Sequence, residues 1–340
     1  MTRLGVQMYQ EQTPHGQQQT VLEVEQKEKI EVGLLLFLAH LSDCLQMLEI
    51  CSFPELSLLA SSLVDHHQKV GGISGVGGLG AVGGLQALRC LQELQIRSCP
   101  KLHSAYETSS PAASCCFPFP SSLQKLELRG TVGGTGTLES LSNLTSLTRL
   151  HIDGCGEDFR GEGLWTLVTR GHLTALMVYG CPKFFVGSDL IRELQDEEDQ
   201  ERQLLQCSPK LRELRTDDIP GVLAAPICTL LSSSLTLLAF CLNGEVEHYT
   251  KEQERALQLL TSLQDLIFFL CMELQCLPAG LYALPSLKRL CINYCPAISS
   301  LPKHGLPISL QELDVRFCEN KELEQQCRDF VRDHPRIKLI

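Results

Sequence analysis

Seventeen cysteines in 340 residues give this sequence most of its chemical potential, since a thiol can bind metal, pair as a disulfide or act as a nucleophile. A structural zinc site needs close pairs of the C-x2-C kind, supplied twice. The nearest approaches, Cys271 with Cys276 and Cys291 with Cys295, lack that spacing. Cys291 and Cys295 are moreover expected to point to opposite sides of one repeat. The adjacent pairs Cys115-Cys116 and His66-His67 fall in irregular stretches and read as loop content. A disulfide scaffold belongs to short secreted chains, and the first twenty residues here lack the basic-then-apolar pattern of a signal peptide. The thiols are therefore expected to be reduced, in an intracellular protein.

Other chemistries fare no better. The segment GGISGVGGLGAVGG, Gly71 to Gly84, invites a nucleotide-binding reading, but no Lys follows it and no clear strand precedes it. It is expected to be a flexible insertion. The ten histidines are scattered, and no Ser-His-Asp, Cys-His or paired-carboxylate arrangement emerges from spacing. No catalytic residue, metal site or cofactor is expected. A net charge of −11 argues against a phosphate-backbone binder. The apolar run Gly33 to Leu41 is far shorter than the ~20 residues that span a bilayer. The acidic run Asp189 to Leu205 reads as a solvated surface helix, with docking of a basic partner as its alternative. The sequon Asn143-Leu144-Thr145 would matter only in a secreted chain.

The cysteines make sense once the elements that carry them are identified. The string LQELQIRSCPKL from Leu91 recurs, with copies opening at Leu45, Leu123, Leu147, Leu173, Leu211, Leu235, Leu263, Leu287 and Leu310, ten in all. The last five openings lie 24, 28, 24 and 23 residues apart. That spacing is the period of leucine-rich repeats, ~20 to 29 residues. Positions four and six of each copy are apolar between polar neighbours, as a short strand buried on one face requires. Cys99, Cys155, Cys181, Cys271, Cys295 and Cys318 occupy the ninth position, where the chain turns inward, and Asn243 does so in the copy at Leu235. A thiol there acts as a small buried hydrophobe with a weak donor for a loop carbonyl. Pro100, Pro182 and Pro296 follow and end the strand.

The strings LQELQIRSCPKL, LKRLCINYCPAISSLP and LPISLQELDVRFCEN, with the closing LEQQCRDFVRDHPRIKLI, resemble the C-terminal repeat domain of plant nucleotide-binding leucine-rich-repeat (NB-ARC LRR) disease-resistance proteins. The likeness covers roughly Leu45 to Ile340. It implies a protein ligand: a pathogen effector, a host guardee or an upstream nucleotide-binding domain held inactive. No P-loop or kinase-2-like acidic strand precedes the repeats, so the chain is expected to be a fragment of such a receptor or a truncated product. The alternative function is a leucine-rich-repeat adaptor or substrate receptor, such as in a ubiquitin ligase.

The expected fold is thus an α/β solenoid: a leucine-rich-repeat horseshoe with a parallel concave sheet, an irregular convex side and a C-terminal capping helix. Residues 1–44 are unassigned and expected to be partly disordered. Residues 45–318 form the solenoid, with insertions near 57–90, 103–122 and 185–210, and residues 319–340 form the cap and tail. No comparable cap is evident at the N-terminus, which leaves the first strand an open edge. Ligand contacts are expected on outward strand positions three, five and seven. Leu237, Ala239, Cys241, Ile267 and Phe269 make an apolar island there, with Met177 and Tyr179 nearby in the pattern. The charged strip Lys125, Arg129, Arg149 and His151 is the second candidate. The location is expected to be cytoplasmic, with the nucleus as a further compartment, and neither nucleic acid nor membrane is an expected partner.

Overall fold

The computed structural model describes residues 5–12, 18–25, 43–52, 85, 88–100, 119–131, 138, 141, 144–154, 156, 159–161, 163–170, 172–186 and 209–340, the first two stretches as backbone only. The glycine-rich stretch 71–84, the acidic run 189–205, most of the three expected insertions, His66, His67, Cys115, Cys116, Asn143 and Cys155 lie outside the described residues. The chain divides into two compact units, Met1–Cys155 and Gly156–Ile340.

In the first unit, strands β1 (Gly5–Gln12) and β2 (Gln18–Glu25) pair antiparallel. β2 then pairs parallel with β3 (Met47–Cys51), placing Val21 opposite Met47. The ladder continues in parallel through β4 (Glu93–Arg97), β5 (Lys125–Arg129) and β6 (Arg149–Asp153). The first repeat strand, β3, is thus not the outermost strand as expected, since β2 pairs with it and β1 stands outermost. Ladder amides that would otherwise be unpaired at β3 are met by a strand drawn from residues 18–25, outside the repeat pattern. The repeat rule could not find that strand, because it carries no leucine-led copy.

In the second unit, helix α1 (Leu164–Arg170) precedes a parallel ladder of β7 (Ala175–Tyr179), β8 (Glu213–Thr216), β9 (Leu237–Cys241), β10 (Asp265–Phe269), β11 (Arg289–Asn293) and β12 (Glu312–Arg316). Short helices fill the returns: α2 (Ile219–Val222), α3 (Ala225–Leu231), α4 (Lys251–Gln258) and a 3-10 turn at Ala279–Ala283. Helix α5 (Lys321–Asp333) follows β12, and β13 (Lys338–Leu339) returns to pair with it.

The register explains why the leucines recur. The third residue of each copy faces the third residue of the next within each unit, as Asp265 faces Arg289 and Leu237. Within each unit the opening leucines therefore stack on one another, and all ten are buried, from Leu45 to Leu310. The sixth positions add an inward row that includes Ile96 and Leu128 in the first unit and Phe240, Phe268 and Ile292 in the second. Phe240 and Phe268 lie 5.9 Å apart between ring centroids. Each such side chain contributes about 1.5–3 kcal/mol on burial, so three per copy outweigh any single polar contact in the repeat.

The C-terminal end of the second unit is covered by α5. Asn320 caps α5, its Oδ1 accepting from Glu322 N and Leu323 N at 3.1 Å each. Leu323 and Cys327 are buried, while Phe330 and Val331 are half-buried. Among the described residues no helix is long and apolar enough to cross a membrane.

Candidate functional site

The ninth-position thiols behave as buried hydrophobes with one weak donor. Cys99, Cys181, Cys271, Cys295 and Cys318 are all at most 2% exposed. Cys99 donates to Arg97 O at 3.4 Å, Cys181 to Tyr179 O at 3.3 Å, and Cys295 to Asn293 O at 3.3 Å. Cys271 and Cys318 also reach the preceding strand, at Phe240 O (3.5 Å) and Ile292 O (3.3 Å). Asn243 does the same work with stronger groups: its Nδ2 donates to Asp217 O at 2.8 Å, and its Oδ1 accepts from Val246 N at 2.9 Å. Burial pushes the Cys318 thiol up, as it does Cys228 and Cys327, both to about 12. For Cys295 a hydrogen bond with Cys271 comes first and burial second, both raising it. Thiols held protonated in this way are poor nucleophiles and poor metal ligands. Among the described residues no group of three or more His, Cys, Asp and Glu side chains converges on a point.

The eighth position makes the turn that precedes the thiol. Ser52, Ser98, Gly130, Gly154, Gly180, Leu242, Leu270, Tyr294 and Phe317 all have φ between 55° and 66°. In this left-handed conformation the amide still donates one last rung: Ser98 N to Arg129 O at 2.8 Å, Leu242 N to Phe269 O at 2.9 Å, Tyr294 N to Arg316 O at 3.1 Å. The copy at Leu211 departs from this, with Asp218 at φ −84°. There the Asp217 carboxylate accepts from Gly180 N at 2.8 Å in place of a backbone rung. Asp218 itself is fully buried, its Oδ1 accepting from Gly221 N and its Oδ2 from Phe185 N, both at 2.8 Å. Burial raises its carboxyl to about 6 against the lowering effect of those two bonds.

On the outward face of the first unit, the charged strip is an ion-pair lattice. Arg97 Nη1 is 3.0 Å from Glu49 and its Nη2 3.2 Å from Glu127, while Arg129 Nε is 2.7 Å from Glu127. Lys125 pairs with Glu93, and His151 Nδ1 lies 3.9 Å from Glu127. Burial, and next the Arg129 charge, hold His151 below the usual imidazole range, with Glu127 pulling the other way. Lys125 is therefore paired with a glutamate on the neighbouring strand, Arg129 with Glu127 on its own strand, and Arg149 is exposed beside them.

On the outward face of the second unit the apolar island is smaller than the alternation predicts. Ala239 is fully buried and Cys241 is 7% exposed, so neither is an accessible contact. The alanine side chain ends below those of Arg215 and Ile267, which stand level with it on the flanking strands. The Cys241 thiol shares a hydrogen bond with the Tyr179 hydroxyl, two strands away, and burial pushes it to about 11. Leu237, Ile267, Met177 and Tyr179 are half-buried, and Phe269 is 36% exposed. Beyond it the face turns ionic: Arg316 and Arg289 converge on Asp314, and Cys291, outward as expected, points its Sγ at the same carboxylate at 3.7 Å.

Alternation within the strand misses one group entirely. Leu242 is 54% exposed, Tyr294 40% and Phe317 61%, all just past the strand end. The signal lay in the eighth position, which passes from Ser and Gly in the early copies to Leu, Leu, Tyr and Phe in the copies at Leu235, Leu263, Leu287 and Leu310.

Leucine-led strands in register within each unit, all but one of them followed by a left-handed residue, define a leucine-rich-repeat solenoid fold. No family model matches the chain. No curated protein matches it either. Thirty-one solved chains match in structure. Among them is the leucine-rich repeat domain of the type III effector XopL, with a TM-score of 0.41 and 18% identity over 67% of this chain and 69% of that one.

Proposed function

We propose that this chain is a non-catalytic protein-recognition domain whose ligand lies on the outward sheet face of the second unit. The observation that carries the reading is the apolar step Leu237, Ile267 and Phe269, with Met177 and Tyr179 on the same face, set in an in-register sheet whose neighbouring positions are charged. Apolar side chains left accessible on such a face mark contact sites more often than isolated ones elsewhere. Seven parallel strands span about 30 Å at ~4.8 Å each, enough for a protein surface. Paired charges and protonated thiols support a binding role over a chemical one. By resemblance of the repeat strings, the finer reading is a domain of plant immune-receptor type that senses a pathogen effector or contacts a nucleotide-binding domain.

The test is a photo-crosslinker placed at Met177, compared in the parent and in the Ile267→Asp/Phe269→Asp variant. A folded variant that no longer crosslinks its protein partner supports the reading. Undiminished crosslinking places the ligand elsewhere, and unfolding makes the pair core.

A further inference from the structure

Four consecutive repeats of the second unit end their strands with Leu242, Leu270, Tyr294 and Phe317, all at φ between 55° and 59°. The turn demands a left-handed residue, and glycine meets that demand without steric cost, as Gly130, Gly154 and Gly180 do in other copies. Bulky side chains there are strained. They gain little burial in exchange, since Leu242, Tyr294 and Phe317 are exposed and Leu270 is half-exposed. A sequence shaped by stability alone would carry glycine at these positions.

The strained residues instead build a continuous apolar row. The Leu242, Leu270 and Tyr294 amides each donate to the seventh carbonyl of the next strand, which sets Leu242, Leu270, Tyr294 and Phe317 side by side. The Tyr294 and Phe317 rings stack at 4.6 Å with planes 14° apart, and Phe269 meets Tyr294 edge-on at 5.6 Å. Met272, 47% exposed, flanks the row from the loop after β10. The loops that leave β9 to β12, residues 242–250, 270–278, 294–311 and 317–320, contain Glu245, Glu247, Glu273 and Glu319 against one Lys, Lys303. All four glutamates are exposed.

The geometry points to a docking strip along this rim for an extended peptide segment of a partner protein that combines aromatic or aliphatic side chains with Lys or Arg. Four strands at ~4.8 Å cover about 15 Å, the reach of roughly five extended residues, so the strip fits a linear segment and not a broad surface. Apolar side chains would lie on the rings while the basic groups face the glutamates, whose field raises their local concentration. This deepens the protein-recognition reading and rests on it, but uses a different row of residues from the outward face.

The experiment selects binders from a displayed library of short random peptides on the parent chain, then measures the enriched peptides by fluorescence anisotropy. Enriched sequences should pair aromatic or aliphatic residues with Lys or Arg. The Tyr294→Gly/Phe317→Gly variant should bind them roughly tenfold more weakly, with a melting temperature within roughly 3 °C of the parent, because glycine removes the rings and the strain together. Glu245→Lys/Glu273→Lys, which alters only exposed groups, should weaken them several-fold, and so should added salt. No enrichment, enrichment of acidic peptides, or equal binding by both variants overturns the strip. Peptides lost with Ile267→Asp but kept by Tyr294→Gly/Phe317→Gly bind the outward face, so the rim fails while the broader reading stands. A parent dimer that Tyr294→Gly/Phe317→Gly dissociates, seen by sedimentation, assigns the row to self-association and also overturns the peptide.

Discussion

Arg316 clasps Asp314 through two hydrogen bonds of 2.7 Å, Nε to Oδ1 and Nη2 to Oδ2, and Arg289 Nη2 adds a contact at 3.3 Å. Asp314 has no exposed surface, although it lies on the outward side of its strand. Burial pushes its carboxyl up, but the Arg316 bonds and charge, then those of Arg289, outweigh it and hold it below the usual range. Its contribution is therefore complete above the ordinary Asp value of ~3.9 and is lost as pH falls through that region. Asp314→Asn should destabilise the chain by about 1–3 kcal/mol at neutral pH, a figure reduced because both arginines are half-exposed. A urea midpoint equal to the parent's refutes this role.

His151 gives the opposite end of the pH scale something to report. Its depressed imidazole means that the unfolded chain binds the proton more readily, so the native state gains nothing from protonation. Stability from this site is complete above the ordinary value of ~6.5 and declines as pH drops below it. On acidification from about pH 7.5 to about pH 5.5 the parent should lose melting temperature relative to His151→Asn. Parallel pH profiles for the two proteins would exclude His151 as the source of that loss.

Gly221 is required by contact and not by conformation. A Cβ there would stand 2.3 Å from Asp218 Oδ2, inside the turn that Asp218 caps. Gly221→Ala should destabilise by about 2–4 kcal/mol in chemical denaturation, through displacement of a buried carboxylate. Gly244→Ala, where a Cβ meets nothing within 4 Å, serves as the control and should change little. Equal effects of the two substitutions would show that the Asp218 turn yields freely.

Deletion of residues 319–340 removes α5 and β13 together and uncovers the last repeat, where Leu323 and Cys327 are buried and β13 pairs with β12. The deletion variant should melt below the parent in circular dichroism, as loss of a terminal cap from a repeat array requires. Coincident melting curves would deny α5 a capping role.

Most of the repeat core was legible because it depends on local periodicity. The leucine-led string places all ten strands, with inward positions four and six, from Leu48 and Ile50 through to Leu313 and Val315. What escaped it depended on other physics. β2 lacks the opening leucine, although its Leu22 and Val24 are in register with Leu48 and Ile50, and β13 is two residues long, too short for any alternation to show. Ala239 and Cys241 were placed on the correct face but judged accessible, since exposure is set by the height of neighbouring side chains such as Arg215, Ile267 and Tyr179. The alternation names the charged strip residue by residue and leaves its pairing unseen, whereas Glu93 meets Lys125 from the neighbouring strand and Glu127 meets Arg129 within β5. The apolar rim was visible in the letters at the eighth position and missed for want of the turn conformation that exposes them.

The row of buried ninth-position thiols has a use outside recognition. Each of Cys99, Cys181, Cys271, Cys295 and Cys318 belongs to a different repeat and is sealed from solvent while that repeat is closed. A thiol reagent can reach it only during a local opening, and a repeat array opens in segments set by nearest-neighbour contacts. The chain thus carries its own set of clocks, spaced along its length, that would time the unzipping of those five repeats without any label being introduced.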